Sequence, residues 1–155
     1  MFESMNADVM LKMKKYGYLT FWSFMVPLVP FSAYVGVDSG TQDYWAWFMY
    51  AFIFGIIPVL DYLVGKDPTN PSEDVQVPSM SEEIFYRVSA IAMGFVWIAV
   101  LFYAGHVFMT NDYGLLGKIG WIVSIGTVGG IIAINLGHEL IHKDPKVENW
   151  MGGLL

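Results

Sequence analysis

Cysteine is absent from the 155 residues, which excludes disulfides, thiolate metal ligands, iron–sulfur clusters and cysteine nucleophiles. Histidine and carboxylate are then the only strong metal ligands available, a set that favours hard or borderline ions. Positive charge is also scarce: 8 Lys and Arg stand against 14 Asp and Glu, a net charge of −6, with no basic cluster. Nucleic-acid binding is not expected, because neutralising phosphates requires grouped cations. Charge of either sign is thin, at 14% of residues against 55% hydrophobic and 17% aromatic, the composition of a membrane protein rather than a soluble globule. No cleavable signal is expected, since the segment holding Lys12, Lys14 and Lys15 is too polar for an apolar signal core. The membrane spans themselves are expected to direct insertion. Internal repeats and low-complexity tracts are lacking too.

What the chain does have is long apolar runs. A helix needs about 20 mostly apolar residues to cross roughly 30 Å of hydrocarbon. Runs near residues 17–37, 44–64, 87–109 and 115–137 satisfy this. Pro27 and Pro30 in the first, with Gly55 and Pro58 in the second, predict bends. Short connections around Asp38–Asp43 and Thr110–Tyr113 alternate with a long one, rich in proline and acid, from Lys66 to Glu83. The expected architecture is all-α: a polytopic membrane helical bundle of about four helices arranged as two hairpins. Lys12, Lys14, Lys15, Lys66, Arg87, Lys143 and Lys146 fall on one side of these spans and Lys118 on the other. Basic residues are retained in cytoplasmic loops, so the N-terminus, the long loop and the end of the fourth span are expected to be cytoplasmic. Tyr16, Tyr18, Tyr44, Trp45, Trp47, Tyr62, Tyr86 and Tyr113 lie near span ends, as an interfacial aromatic belt requires. Residues 2–15 read equally as a short amphipathic surface helix or a frayed terminus.

The fourth run ends in Asn135-Leu136-Gly137-His138-Glu139-Leu140-Ile141-His142-Lys143. Helical residues four apart are separated by about 40°, so His138 and His142 share a face and can share a metal. Imidazole suits Fe, Zn, Cu and Ni, and a pair of ligands does not choose among them. An HExxH pair closing a membrane span is nevertheless a much stronger metal signal than a lone interfacial histidine. HExxH is also the zinc metallopeptidase signature, with the Glu activating water, so an intramembrane protease is a competing reading. Against it, Lys143-Asp144-Pro145 is expected to end the helix at once, and no third ligand is visible downstream. His106 is the remaining histidine and falls at the opposite membrane face, about 30 Å away at 1.5 Å per residue. Asp61 is an ionisable residue inside a span, where charge is costly and usually partnered or facing a polar cavity. Headgroup water solvating an interfacial Asp is the plainer alternative.

The segment Gly137-His138-Glu139-Leu140-Ile141-His142-Lys143, preceded by Asn135 and followed by Trp150-Met151, resembles the first histidine box of the membrane-bound alkane monooxygenases, relatives of xylene monooxygenases and fatty-acid desaturases. Pro58-Val59-Leu60-Asp61, Gly65-Lys66-Asp67, Asn70-Pro71 and Tyr86-Arg87-Val88 resemble further segments of alkane hydroxylases, so the likeness extends over essentially the whole chain. It implies a non-haem diiron site whose two Fe ions are partly ligated by His138 and His142. Glu139 is then a candidate for orienting a ligand histidine, or for a salt bridge to Lys143 four residues on. Asn135 is a weaker candidate for the same duty, and Asp61 is a candidate catalytic carboxylate. The resemblance further implies that the other histidine boxes lie outside these residues. This segment is expected to be the N-terminal transmembrane part of a larger enzyme, inactive alone, in a bacterial inner membrane.

The implied reaction inserts one oxygen atom of O2 into the terminal C–H bond of a linear alkane, with electrons supplied by rubredoxin. Rubredoxin iron needs four cysteine thiolates, so it cannot reside in this segment. A diiron desaturase or xylene-type hydroxylase is the related alternative. An alkane offers no hydrogen-bonding handle, so selectivity rests on the shape of an apolar pocket. Phe52, Ile53 and Ile57 on the second span are the candidates for limiting chain extension. Gly126 and Gly130, in GxxxG spacing, read either as close helix packing or as clearance for a substrate chain.

Overall fold

Two uninterrupted apolar runs form the longest helices, Ile84–Thr110 and Leu115–Ile141, of 27 residues each. At 1.5 Å per residue each is about 40 Å long, enough to cross a bilayer. Their span-length apolar stretches are Val88–Thr110 and Leu115–His138, close to the expected 87–109 and 115–137. Neither helix has a polar face: Phe102, Met109, Ile122 and Ile134 all stand exposed. Such surface suits lipid or further protein rather than water, and it marks a membrane protein.

The computed structural model describes residues 25–65, 84–141 and 146–155, without the side chains of 84–87, 139, 147 and 148. Among the described residues every regular element is helical. In chain order they are α1 (Met25–Asp38), α2 (Gln42–Trp45), α3 (Phe48–Val64), α4 (Ile84–Thr110), α5 (Leu115–Ile141) and α6 (Lys146–Leu154). α1 and α3 are apolar but shorter than a span among the described residues. The start of the first expected run, the amphipathic segment 2–15 and the Lys66–Glu83 connection lie outside the described residues.

α4 and α5 form an antiparallel hairpin through Asn111–Gly114. Trp121 Nε1 donates to the Ala104 carbonyl at 3.0 Å, and Tyr113 stacks on the Trp121 ring with centroids 6.0 Å apart. Trp97 lies across Gly129, where a Cβ would sit 2.9 Å from Trp97 Cζ2. Phe31 packs edge-on against Trp45 and Phe48, which folds α1 back along the start of α3. Gly36 makes that turn possible, because a Cβ there would fall 2.8 Å from Trp45 Cβ.

The second expected run, 44–64, is not one continuous α-helix. It breaks at Ala46–Trp47, and the cause lies on α5. The Ser124 hydroxyl donates to the Ala46 carbonyl at 2.7 Å and accepts the Tyr50 N–H at 3.3 Å. A single oxygen thus stands between two groups that would otherwise bond each other directly. α2 is fastened to the hairpin loop beside it: the Asp43 carboxylate accepts the Gly114 N–H at 2.9 Å, and Gln42 Nε2 donates to the Asp112 carbonyl at 3.3 Å. Trp47 Nε1 donates to the Leu116 carbonyl at 3.2 Å, lying close over Gly120. These ties make α3 run parallel to α5. The bend expected from Pro58 takes the form of a π-helical turn at Phe52–Ile56. Pro58 has no N–H to give the Phe54 carbonyl, and the widened turn sits where that bond is missing.

α6 was not expected from the sequence, where Lys143-Asp144-Pro145 reads only as the end of the preceding helix. It turns back along α5, with Leu140 and Met151 each 1% exposed at the contact. Met151 and Leu155 also reach α4, approaching Gly94.

Candidate metal centre

His138 occupies the last turn of α5 and is exposed. It follows Ser124, the residue that grips α3, by fourteen positions. At about 100° per residue this returns it to within roughly 40° of Ser124's direction. His138 therefore stands on the α3 side of α5. On α3, Met49, Ile53, Ile57 and Asp61 form a stripe four residues apart. The first two are buried, Ile57 is half-buried and Asp61 is exposed. Asp61 continues the stripe that α3 turns toward the bundle.

Depth follows from the Ser124–Tyr50 contact, which sets the two parallel helices in register. Asp61 lies eleven residues beyond Tyr50 and His138 fourteen beyond Ser124. At 1.5 Å per residue the pair share a level to within about 5 Å. The packing of α3 on α5 is concentrated in its Phe48–Ala51 turn. Beyond that turn the two helices part, and Asp61 and His138 are both exposed. His142 and the Glu139 side chain lie outside the described residues. Among the described residues no three histidine or carboxylate side chains converge.

Asn135 Nδ2 donates to the Ile131 carbonyl at 2.6 Å, so its amide is engaged by its own helix. His106 lies at the far end of α4, lining a surface groove with Tyr34, Asp38 and Tyr103. It is roughly 28 Å from the His138 level at 1.5 Å per residue, so it does not join the motif. Phe52 and Ile57 pack half-buried against the core that contains Ile53. Gly126 and Gly130 point away from α3, and among the described residues a Cβ at either would meet nothing within 4 Å. Among the described residues it is Gly129, between them, that makes a close approach, beneath Trp97. The five pocket candidates divide between a packed α3 face and an open α5 face. Outside the membrane-spanning segments, burial pushes the Tyr113 phenol above its usual value, helped by Tyr103 and the Asp43 carboxylate.

Over all 155 residues the chain is 92% identical to alkane 1-monooxygenase 2 of Alcanivorax borkumensis strain SK2. It belongs to the alkane 1-monooxygenase family. Alkane 1-monooxygenase 2 and alkane 1-monooxygenase 1 of Pseudomonas aeruginosa strain PAO1 are each 40% identical to it across the whole chain. The chain spans 41% of the length of each of these relatives. No protein-family model and no solved structure matches it.

The donor set suits an iron site in an alkane 1-monooxygenase family member. It is imidazole and carboxylate without thiolate, the combination non-haem iron accepts. His138 is held by a rigid helix yet remains exposed, rather than sealed into the α4–α5–α6 packing. Ligands from elsewhere can reach the side on which it stands. The sequence places His138 at the end of a span, where α5 ends, but gives no expectation of α6, whose signal is an amphipathic run after Pro145 holding Gly152-Gly153.

Proposed function

We propose that the complete protein is a membrane non-haem diiron monooxygenase that hydroxylates the terminal methyl of linear alkanes to primary alcohols. The observation that carries this reading is the 92% identity over the whole chain to a relative named alkane 1-monooxygenase 2. The HExxH motif closing a span-length helix supports it. In this proposal the segment contributes four spans as two hairpins, in a bacterial inner membrane. The side richer in Lys and Arg, with the N-terminus and the histidine motif, is cytoplasmic.

His138 and His142 would hold iron together with ligands from the rest of the protein. The iron pair, when bound, supplies the O2 reduction and C–H oxidation that no protein side chain performs alone. Asp61, near the level of His138, would orient a ligand imidazole by accepting its second N–H, which would fix the ring and its tautomer. Glu139 is the second candidate for that duty. Phe52, Ile53 and Ile57 give the α3 side an apolar wall that excludes water and limits how far a chain extends. The alkane arrives from the lipid, in which it is already dissolved. Electrons arrive from rubredoxin docked on the cytoplasmic side, and the second oxygen atom leaves as water.

The test is full-length protein reconstituted in lipid with rubredoxin, its reductase, a linear alkane and isotopically labelled O2. Labelled primary alcohol, dependent on rubredoxin, is the expected product. Alkene without label would point to a desaturase, and peptide cleavage by a zinc-loaded protein would sink the oxygenase reading.

A further inference from the structure

We infer that α6 is a clamp on the backbone of the His138 turn, with Gly152 and Asn149 as positioning residues for the metal-binding imidazole. This rests on the diiron reading above. The need for a clamp is written in the sequence. In a continuing helix the Ile141 carbonyl would accept the N–H of residue 145, but that residue is Pro145 and has none. Asn149 Nδ2 takes the vacant position, donating to the Ile141 carbonyl at 2.7 Å. An unpaired carbonyl at the edge of hydrocarbon costs free energy comparable to a lost hydrogen bond, so this amide holds the end of α5 in place.

Gly152 acts on the same turn. The helical bond from the Ile141 N–H to the Gly137 carbonyl encloses His138, Glu139 and Leu140. A Cβ on Gly152 would lie 2.6 Å from the Ile141 nitrogen and 2.9 Å from the Gly137 oxygen. Both are backbone atoms that cannot swing aside. Gly137 answers from its own side, where a Cβ would lie 3.2 Å from the Gly152 carbonyl oxygen. Two backbones therefore touch at the turn that carries the ligand. Met151 and Leu155 brace the other flank of α6 on Gly94 of α4. By helical spacing Gly137, Leu140 and Ile141 lie on the side of α5 turned away from α3. α6 thus fixes the far side of the turn while His138 stands on the side of Asp61. Shifting α6 outward would move the imidazole without touching it.

The experiment uses full-length protein in lipid, compares Gly152→Ala, Asn149→Asp and Gly153→Ala, and measures iron affinity and the Mössbauer spectrum of the bound iron. Gly153→Ala is the control: it gains the same helix propensity one residue further on, where a Cβ meets nothing within 4 Å. Gly152→Ala and Asn149→Asp should weaken iron binding by about 10-fold, the lower end for disturbing groups that orient metal ligands. Both should alter the spectrum, while Gly153→Ala matches the parent. Folded Gly152→Ala and Asn149→Asp proteins with parental affinity and spectrum would overturn the clamp. If Gly152→Ala fails to fold, Asn149→Asp, which keeps the shape and loses the donor, decides alone. His138→Ala is measured beside them. Iron loss there with parental Gly152→Ala and Asn149→Asp removes only the clamp, whereas full iron retention in His138→Ala removes the ligand assignment itself.

Discussion

Ser124→Ala removes one oxygen and should loosen the junction that sets α3 against α5. Ser124 is 1% exposed, and its hydroxyl bridges the Ala46 carbonyl, at 2.7 Å, and the Tyr50 N–H, at 3.3 Å. With no water at that depth, each group left unpaired costs about 1–3 kcal/mol. The two can partly recover by closing on one another across the break, and Ala returns roughly 0.5 kcal/mol of helix propensity on α5. A net loss of about 1–2 kcal/mol remains. Equilibrium unfolding of the full-length protein in mixed detergent micelles, followed by tryptophan fluorescence, reads it. Ser124→Thr keeps the hydroxyl and should stay nearer the parent. A Ser124→Ala protein within about 0.5 kcal/mol of the parent, the range of ordinary surface changes, would refute the bridging role.

Three further outcomes are expected. Gly129→Ala drives a methyl into Trp97 and should destabilise by about 1–3 kcal/mol, as overpacking does, whereas Gly126→Ala and Gly130→Ala should not; the same unfolding assay compares them. Tyr113 should ionise above its ordinary value, so its neutral phenol stabilises the fold fully below about pH 10 and that contribution fades as pH rises through the raised value. Asp43→Asn should bring the ionisation down part-way, with burial still holding it high, in an ultraviolet titration referenced to Tyr113→Phe. Ile53→Trp in the full-length enzyme should shorten the preferred alkane, read from product profiles over graded chain lengths; an unchanged profile counts against the α3 wall.

α4 and α5 were legible because length and hydropathy are local properties, and a run of apolar residues bounded by Asn111–Gly114 leaves little choice of structure. The HExxH spacing was legible for the same reason. The Ser124–Tyr50 register sets Asp61 near the level of His138, a relation that depends on how α3 packs on α5. What sequence reading missed depends on partners far along the chain. The break at Ala46–Trp47 comes from a hydroxyl 78 residues away. The choice of Gly129 over Gly126 and Gly130 is made by Trp97 on the preceding helix. α6 was hidden because Pro145 reads as a stop, while the return along α5 depends on Gly137 and Gly152 meeting backbone to backbone.

The proposal that His138 holds iron is tested most directly by counting metal per chain in purified full-length protein, beside the His138→Ala variant prepared identically. An iron pair in the parent, with iron lost from the folded variant, is the expected result. Zinc in place of iron in the parent, or a variant that keeps its full iron, would contradict it.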